Sequence, residues 1–69
     1  MHIVCAIFGA SLQVLDVLKR HGIRRGISWH GPDRGDTSYW IVVNASIDPT
    51  VEAALRRDIA ATGCDVVQG

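Results

Sequence analysis

The sequence predicts a single small α+β domain whose elements follow one another as strand, helix, strand, strand, helix, strand. Short apolar runs rich in β-branched residues alternate with two segments in which apolar residues recur every three or four positions. Gly, Pro and Asp stand at the boundaries of these segments, where turns and helix ends are expected. The chain has 69 residues, which allows one domain at most and buries only about 60 % of the unfolded surface.

The first strand and the first helix are predicted within residues 2–22. The run from His2 to Phe8 is almost continuously apolar, which is typical of a strand buried on both sides. After the break at Gly9-Ala10, Ser11 is expected to cap a helix. The apolar stripe of this helix consists of Leu12, Val14, Leu15 and Leu18. Gly22 is predicted to end the helix in a left-handed conformation.

The second and third strands are predicted at residues 23–30 and 37–45. Between them, residues 31–36 are rich in Gly, Pro and Asp, as expected of a turn or loop. Alternation along the third strand creates two apolar sets on opposite faces. These sets are Tyr39, Ile41 and Val43 on one face and Trp40 and Val42 on the other.

The second helix and the last strand follow. Asp48 is expected to cap the helix, with Pro49 at its first position. An apolar stripe recurs along it at Val51, Ala54, Leu55 and Ile59. Gly63 is predicted to end the helix, and residues 64–67 are predicted to form a short strand.

The connections between these elements predict the topology. Each helix joins two strands that should be parallel without being adjacent, through right-handed crossovers. The result is a four-stranded antiparallel sheet of order 4-1-3-2 with both helices on one face, which is the ferredoxin-like βαββαβ two-layer sandwich spanning residues 1–69. The two central strands are also apolar on the face away from the helices, so we expect a partner to cover that face. The predicted interface residues are Val4, Ala6, Phe8, Trp40 and Val42.

Composition narrows the class of protein. The 48 % of hydrophobic and 20 % of charged residues fit a globular chain and not a disordered one. Gln13 and Asp16 interrupt the apolar segment near the N-terminus well short of the ~18 residues that a membrane span needs. No basic residue precedes that segment, unlike in a signal peptide. We therefore expect a cytoplasmic protein with no membrane association.

The two cysteines, Cys5 and Cys64, are too few for a disulfide framework. Each lies in an apolar stretch, so we expect two buried, reduced thiols. A bridge between them is the alternative, because their strands could be neighbours. The three histidines have no spacing suited to a metal site, and no cofactor is expected.

No catalytic signature is found in the sequence. The third strand with Asn44 resembles that of acylphosphatases, which share the predicted topology but need an arginine in the loop after the first strand. That loop is Phe8-Gly9-Ala10-Ser11 here, and it also lacks the Cys-x-x-Cys of heavy-metal-binding domains. We therefore predict that the protein is not an enzyme.

Binding of RNA or DNA is the first alternative function. RNA-recognition motifs share the predicted topology and stack bases on aromatic residues of the open sheet face. The aromatic candidates here are Phe8, Trp29, Tyr39 and Trp40. The basic cluster within residues 19–25 would supply phosphate contacts. The formal net charge of zero argues against nucleic acid, and so does Arg34-Gly35, which is followed by Asp36 and not by an aromatic residue.

The chain resembles ACT domains, small-ligand-binding regulatory modules of amino-acid metabolism. The resemblance is carried by Gly9, Val14, Leu18 and Gly22-Ile23, which have the family's spacing, and it extends over all six elements. It implies a homodimer with an amino acid or other small anion at the interface, near residues 9–12. Residues 22–28 are also similar to the start of PII-type signal proteins, whose long nucleotide-binding loop this chain lacks.

The predicted ligand-binding residues lie on both sides of the first helix, namely Gly9, Ala10, Ser11, Leu12, Arg24 and Arg25. Gly9 lets a ligand approach the backbone, and free N–H groups at the start of the helix would hold a carboxylate. Lys19 and Arg20 are explained by their favourable interaction with the helix dipole. Arg24 and Arg25 lie beyond the helix, so they are available to bind an anion. The sequence thus predicts a non-enzymatic, dimeric regulatory module. A small phage or mobile-element protein that docks on a larger protein through its sheet is the second alternative.

Overall fold

The computed structural model describes residues 1–68 and has the predicted order of elements. The strands are β1 (His2–Cys5), β2 (Ile27–His30), β3 (Tyr39–Val43) and β4 (Asp65–Gln68), and the helices are α1 (Phe8–Arg20) and α2 (Pro49–Ala60). The strands form one antiparallel sheet in the order β2-β3-β1-β4, which is the predicted order read from the opposite edge. Neither described helix is long and apolar enough to cross a membrane.

The core lies between the two helices and one face of the sheet. On that face, Ile3 and Ile41 are fully buried, as the predicted alternation requires. They meet the apolar stripes of the helices, whose fully buried members are Val14, Val17, Leu18, Leu55 and Ile59. Each such side chain contributes roughly 1.5–3 kcal/mol of transfer free energy. On the opposite face, Val4, Trp40 and Val42 are only half-buried.

The junction between β1 and α1 differs from the prediction. The sequence predicts a strand as far as Phe8, but β1 ends at Cys5 and Phe8 is the first residue of α1. Ile7 occupies the capping position, and Ser11 lies inside the helix. The prediction of Ser11 as the cap is therefore wrong, and so is the placement of Phe8 on the open face of the sheet.

The end of α1 confirms the predicted role of Gly22, whose φ is 81°. The N–H of Gly22 donates to the C=O of Lys19 (3.0 Å), and the N–H of Ile23 donates to the C=O of Leu18 (2.9 Å). These are the two hydrogen bonds of a Schellman motif. The predicted start of the second strand at residue 23 is wrong, because this motif and a left-handed Gly26 (φ 72°) delay β2 to Ile27.

The start of α2 confirms the predicted cap. Asp48 Oδ1 accepts a hydrogen bond from the N–H of Thr50 (2.9 Å), and Pro49 is the first helical residue. The two helices are joined by His21 Nε2 and Asp58 Oδ2, which lie 2.8 Å apart. This contact ties the end of α1 to the last turns of α2.

Candidate functional site

The structure separates the predicted ligand-binding residues into two groups. Residues 9–12 form the first turn of α1, whereas Arg24 and Arg25 follow its other end. A helix of 13 residues spans about 20 Å. One chain alone therefore does not bring the two groups together.

The first group is only partly accessible. Ala10 and Ser11 face the core, and Ser11 is fully buried. The Ser11 hydroxyl donates to the C=O of Phe8 (2.6 Å) and accepts from Trp29 Nε1 (3.1 Å), so it is not free for a ligand. Gly9 and Leu12 are exposed, and a Cβ added at Gly9 would meet no described atom within 4 Å.

The start of α1 carries open backbone donors. Among the described residues, no side chain caps this end, and the first turn contains no acidic residue. The first N–H groups of a helix have no intrahelical partner and carry partial positive charge. The start of α1 is therefore able to accept an anion, provided that a second group helps to bind it.

The second group borders a cleft of about 380 Å³ at the end of α1. The cleft is lined by Gly22, Ile23, Arg24, Arg25, Ala45 and Ser46. It lies where the connection from α1 to β2 meets the connection from β3 to α2. The two connections touch at Gly26, where an added Cβ would stand only 3.2 Å from the backbone nitrogen of Ala45.

The arginines of this cleft lack acidic partners. Within residues 1–68, the ion pairs of the other arginines join Arg20 to Asp16, Arg56 to Glu52 and Arg57 to Asp58, and none includes Arg24 or Arg25. Both side chains belong to exposed residues, and the exposed Ser46 adds a hydroxyl to the cleft. Guanidinium groups bind carboxylates and phosphates through paired, charge-assisted hydrogen bonds. The cleft is therefore suited to a small oxyanion.

Of the five exposed large apolar side chains in the described part of the chain, Val67 lies on β4 (52 % exposed) and the other four lie beside the start of α1. Ile7, Phe8, Leu12 and Trp29 are between 41 % and 67 % exposed. The rings of Phe8, Trp29 and Tyr39 lie with their centroids 5.8–6.0 Å apart. We call Ile7, Phe8, Leu12, Trp29 and Tyr39 the aromatic patch. Sequence reasoning did not find it, because Phe8 was assigned to a strand and not to a helix above Trp29.

The predicted interface residues are distributed differently. Val4, Trp40 and Val42 share the open face of the sheet, whereas Ala6 follows β1 and is exposed. Phe8 belongs to the aromatic patch on the helix side. Of the four aromatic candidates for base stacking, Trp40 lies on the open face and the other three belong to the aromatic patch.

β2 is the outer strand on one side of the described sheet. The N–H of Asn44 donates to the C=O of Gly26 (2.7 Å), just before β2 begins. Because hydrogen-bonded pairs alternate along an antiparallel ladder, the even-numbered residues of β2 bond to β3. The N–H and C=O groups of Ile27 and Trp29 consequently point away from the sheet. The strand itself contains no proline or lysine that would protect this edge from pairing.

Metal ligands do not cluster in the described part of the chain, where no group of three or more His, Cys, Asp or Glu residues could hold an ion. Comparison with known proteins adds no family to this description. No protein-family model matches the chain, and neither a curated protein nor a solved structure matches it. The assignment of function therefore depends on the geometry described above.

Proposed function

We propose that the chain is a non-enzymatic regulatory module that binds an amino acid or other small anion and acts as a homodimer in the cytoplasm. We further propose that it is a ferredoxin-like domain of the ACT type, a proposal that its βαββαβ order supports. The observation that carries the proposal is the cleft at the end of α1, which is flanked by Arg24 and Arg25 without acidic partners.

The cleft favours a small ligand with a carboxylate or phosphate group. Its volume of about 380 Å³ is near the lower end of the range for small-molecule sites. The two guanidinium groups attract an anion, and Ser46 offers a hydrogen bond for orienting it. An amino acid presents a carboxylate of the required size and charge.

A second copy of the chain fits the free edge of β2. Two copies related by a two-fold axis at Ser28 would place Ile27 of each opposite Trp29 of the other. Because these residues carry the outward N–H and C=O groups, they would form two mutually hydrogen-bonded pairs within β2. The pairing would also lay each half-exposed Trp29 beside Ile27 of the partner subunit and cover part of the aromatic patch.

This dimer would unite the two groups of ligand-binding residues. Arg25 of the partner subunit, two residues before its Ile27, would then lie near the end of β2 at His30. Trp29 is bonded to Ser11, so the start of α1 stands near this end of β2. An anion bound there would meet both the open N–H groups of the helix and a guanidinium group of the partner.

The ligand is tested by isothermal titration with the common amino acids and with inorganic phosphate, using wild type and the double variant Arg24→Ala, Arg25→Ala. We expect binding by wild type and a loss of roughly 10-fold or more in the double variant, because charge-assisted hydrogen bonds are removed. Arg34→Ala is the matched control, since it removes an equally exposed arginine from the turn at the other end of β2.

Binding that is unchanged in the double variant, or absent from wild type for every ligand, would contradict the proposal. Affinity for single-stranded RNA that falls steeply with salt would support the nucleic-acid alternative instead. A protein that stays monomeric and binds neither kind of ligand would support the alternative of docking on a larger protein.

A further inference from the structure

Cys5 and Cys64 face each other across two neighbouring strands. β1 pairs antiparallel with β4, and Val4 lies opposite Asp65. Extending this register by one residue places Cys5 directly opposite Cys64. Both thiols are free and belong to the buried core on the helix side of the sheet.

The hydrogen-bonding pattern brings these two residues especially close. Met1 and Val43 exchange both of their backbone hydrogen bonds, at 2.8 Å each. Since hydrogen-bonded pairs alternate, the odd-numbered residues of β1 bond to β3, and the backbone of Cys5 does not bond to Cys64. Residues that lie opposite each other in an antiparallel pair without bonding, as Cys5 and Cys64 do, have Cα atoms about 4.5 Å apart. That separation lies within the range of roughly 4.4–6.8 Å that disulfides need.

The environment keeps the Cys5 thiol protonated. Burial, together with the neighbouring Cys64 thiol, raises the pKa of Cys5 to about 12. Because the thiolate is the reactive species, thiol exchange at Cys5 is slow while the core stays closed.

We propose that Cys5 and Cys64 form a reversible intramolecular disulfide that locks β4 to β1. One cysteine, as thiolate, attacks glutathione disulfide and releases one glutathione thiolate, which takes up a proton. The other cysteine then attacks the mixed disulfide, forms the Cys5–Cys64 bond and releases the second glutathione. The protein loses two electrons and two protons, and one glutathione disulfide becomes two glutathione thiols.

The bond would close a loop that contains most of the chain. A cross-link of this length strongly restricts the unfolded state. β4 is also an outer strand, held in the described sheet only by β1. We therefore expect oxidation to raise the midpoint of thermal unfolding on the order of 10 °C.

The experiment is an equilibration of the purified protein in glutathione buffers of graded redox potential, begun from both the reduced and the oxidised protein. Samples are quenched with acid, alkylated in denaturant and weighed by mass spectrometry. We expect a single intramolecular disulfide in the oxidising buffers, the same end point from both directions, and the higher unfolding midpoint in the oxidised form.

Cys5→Ser and Cys64→Ser are the controls, and each should show only glutathione adducts or a free thiol. The proposal is overturned when both starting forms converge on two alkylated thiols even in the most oxidising buffer. Disulfides formed only between chains, or glutathione adducts as the main product of wild type, would overturn it as well. The readout is made on the wild-type chain, so poor folding of a serine variant does not obscure it.

Discussion

Gly26 shows how one residue shapes the candidate site. It takes a φ of 72°, a conformation that side chains with a Cβ rarely adopt, and its backbone lies against Ala45. Its C=O also accepts a hydrogen bond from the N–H of Asn44, which is the first hydrogen bond between the chain segments of β2 and β3. The same glycine therefore joins the two connections that line the cleft and sets which groups of β2 face outward.

We expect Gly26→Ala to lower the free energy of unfolding by about 2–3 kcal/mol, because the left-handed conformation and the contact with Ala45 are both unfavourable for alanine. Gly35→Ala is the matched control. Gly35 has a similar φ of 84°, but no described atom stands near its added Cβ, so we expect a loss of only about 1 kcal/mol. Urea unfolding of wild type and the two variants measures both losses of unfolding free energy. Equal losses would show that the contact with Ala45 does not destabilise Gly26→Ala.

Individual residues also show what sequence reasoning could find of the site. Arg24 and Arg25 are predicted from the absence of an acidic residue beside them in the sequence, and the structure places both at a cleft. The burial of Ser11 was missed because the helix was predicted to start too late; in a helix that begins at Phe8, Ser11 lies on the same buried stripe as Val14 and Leu18. The contribution of Ser46 was missed because only the folded chain brings residue 46 next to residue 24.

At the scale of the elements, the order of strands and helices followed from the sequence, whereas several boundaries did not. α2 begins where predicted, because Asp48-Pro49 is a local signal that acts through one hydrogen bond to Thr50. The junction of β1 and α1 has no comparable signal. The apolar run continues through it to Phe8, and tertiary packing of that ring on Trp29 favours a helix there.

The pair formed by His21 and Asp58 connects the two helices, and it should make stability depend on acid pH. The hydrogen bond with His21, with a further contribution from the charge of Arg57, lowers the pKa of Asp58 below its ordinary value of 3.8. A lowered folded-state pKa stabilises the protein above the unfolded pKa, and this contribution is lost as the pH falls through the folded pKa.

We therefore expect Asp58→Asn to lower the midpoint of thermal unfolding at pH 6 and to make it fall less steeply between pH 5 and pH 2 than in wild type. Asp16→Asn is the control, because Asp16 forms only an exposed pair with Arg20 at 3.5 Å. A profile for Asp58→Asn that runs parallel to that of wild type would contradict the role given to this carboxylate.

At the scale of the whole molecule, the sequence predicts uncovered apolar surface on the open face of the sheet, and the structure has exposed apolar side chains on both sides of it. The prediction relied on the open face, where Trp40 is in fact half-buried. Val67 of β4 is exposed on the open side, because its neighbour Val66 packs on the core, whereas the larger Phe8 and Trp29 are exposed on the helix side. Their position next to the free edge of β2 is what favours that edge as the surface for a second copy.

The proposed two-fold axis passes through Ser28, so a charge placed there should meet its own copy. We expect Ser28→Lys and Ser28→Glu each to weaken the dimer, since like charges directly opposite one another repel. An equimolar mixture of the two variants should restore it, because the charges then attract. Sedimentation velocity at two concentrations measures this.

Asp65→Lys, on the outer strand at the other side of the sheet, is the control and should associate like wild type. Ser28 is exposed and takes no part in the core, so either variant is expected to fold. A wild-type protein that is monomeric at both concentrations would contradict the dimer. Variants that associate normally when alone would contradict the proposed axis.

The length of α1 has a consequence for how the proposed module would respond in a cell. Because the helix keeps its two ends about 20 Å apart, a ligand that needs both ends must draw them from two molecules. Ligand affinity and self-association are then reciprocally linked, and each strengthens the other by the same factor. The amount of protein present would therefore set the ligand concentration at which it responds, so that a change in expression level adjusts its sensitivity without any change in sequence.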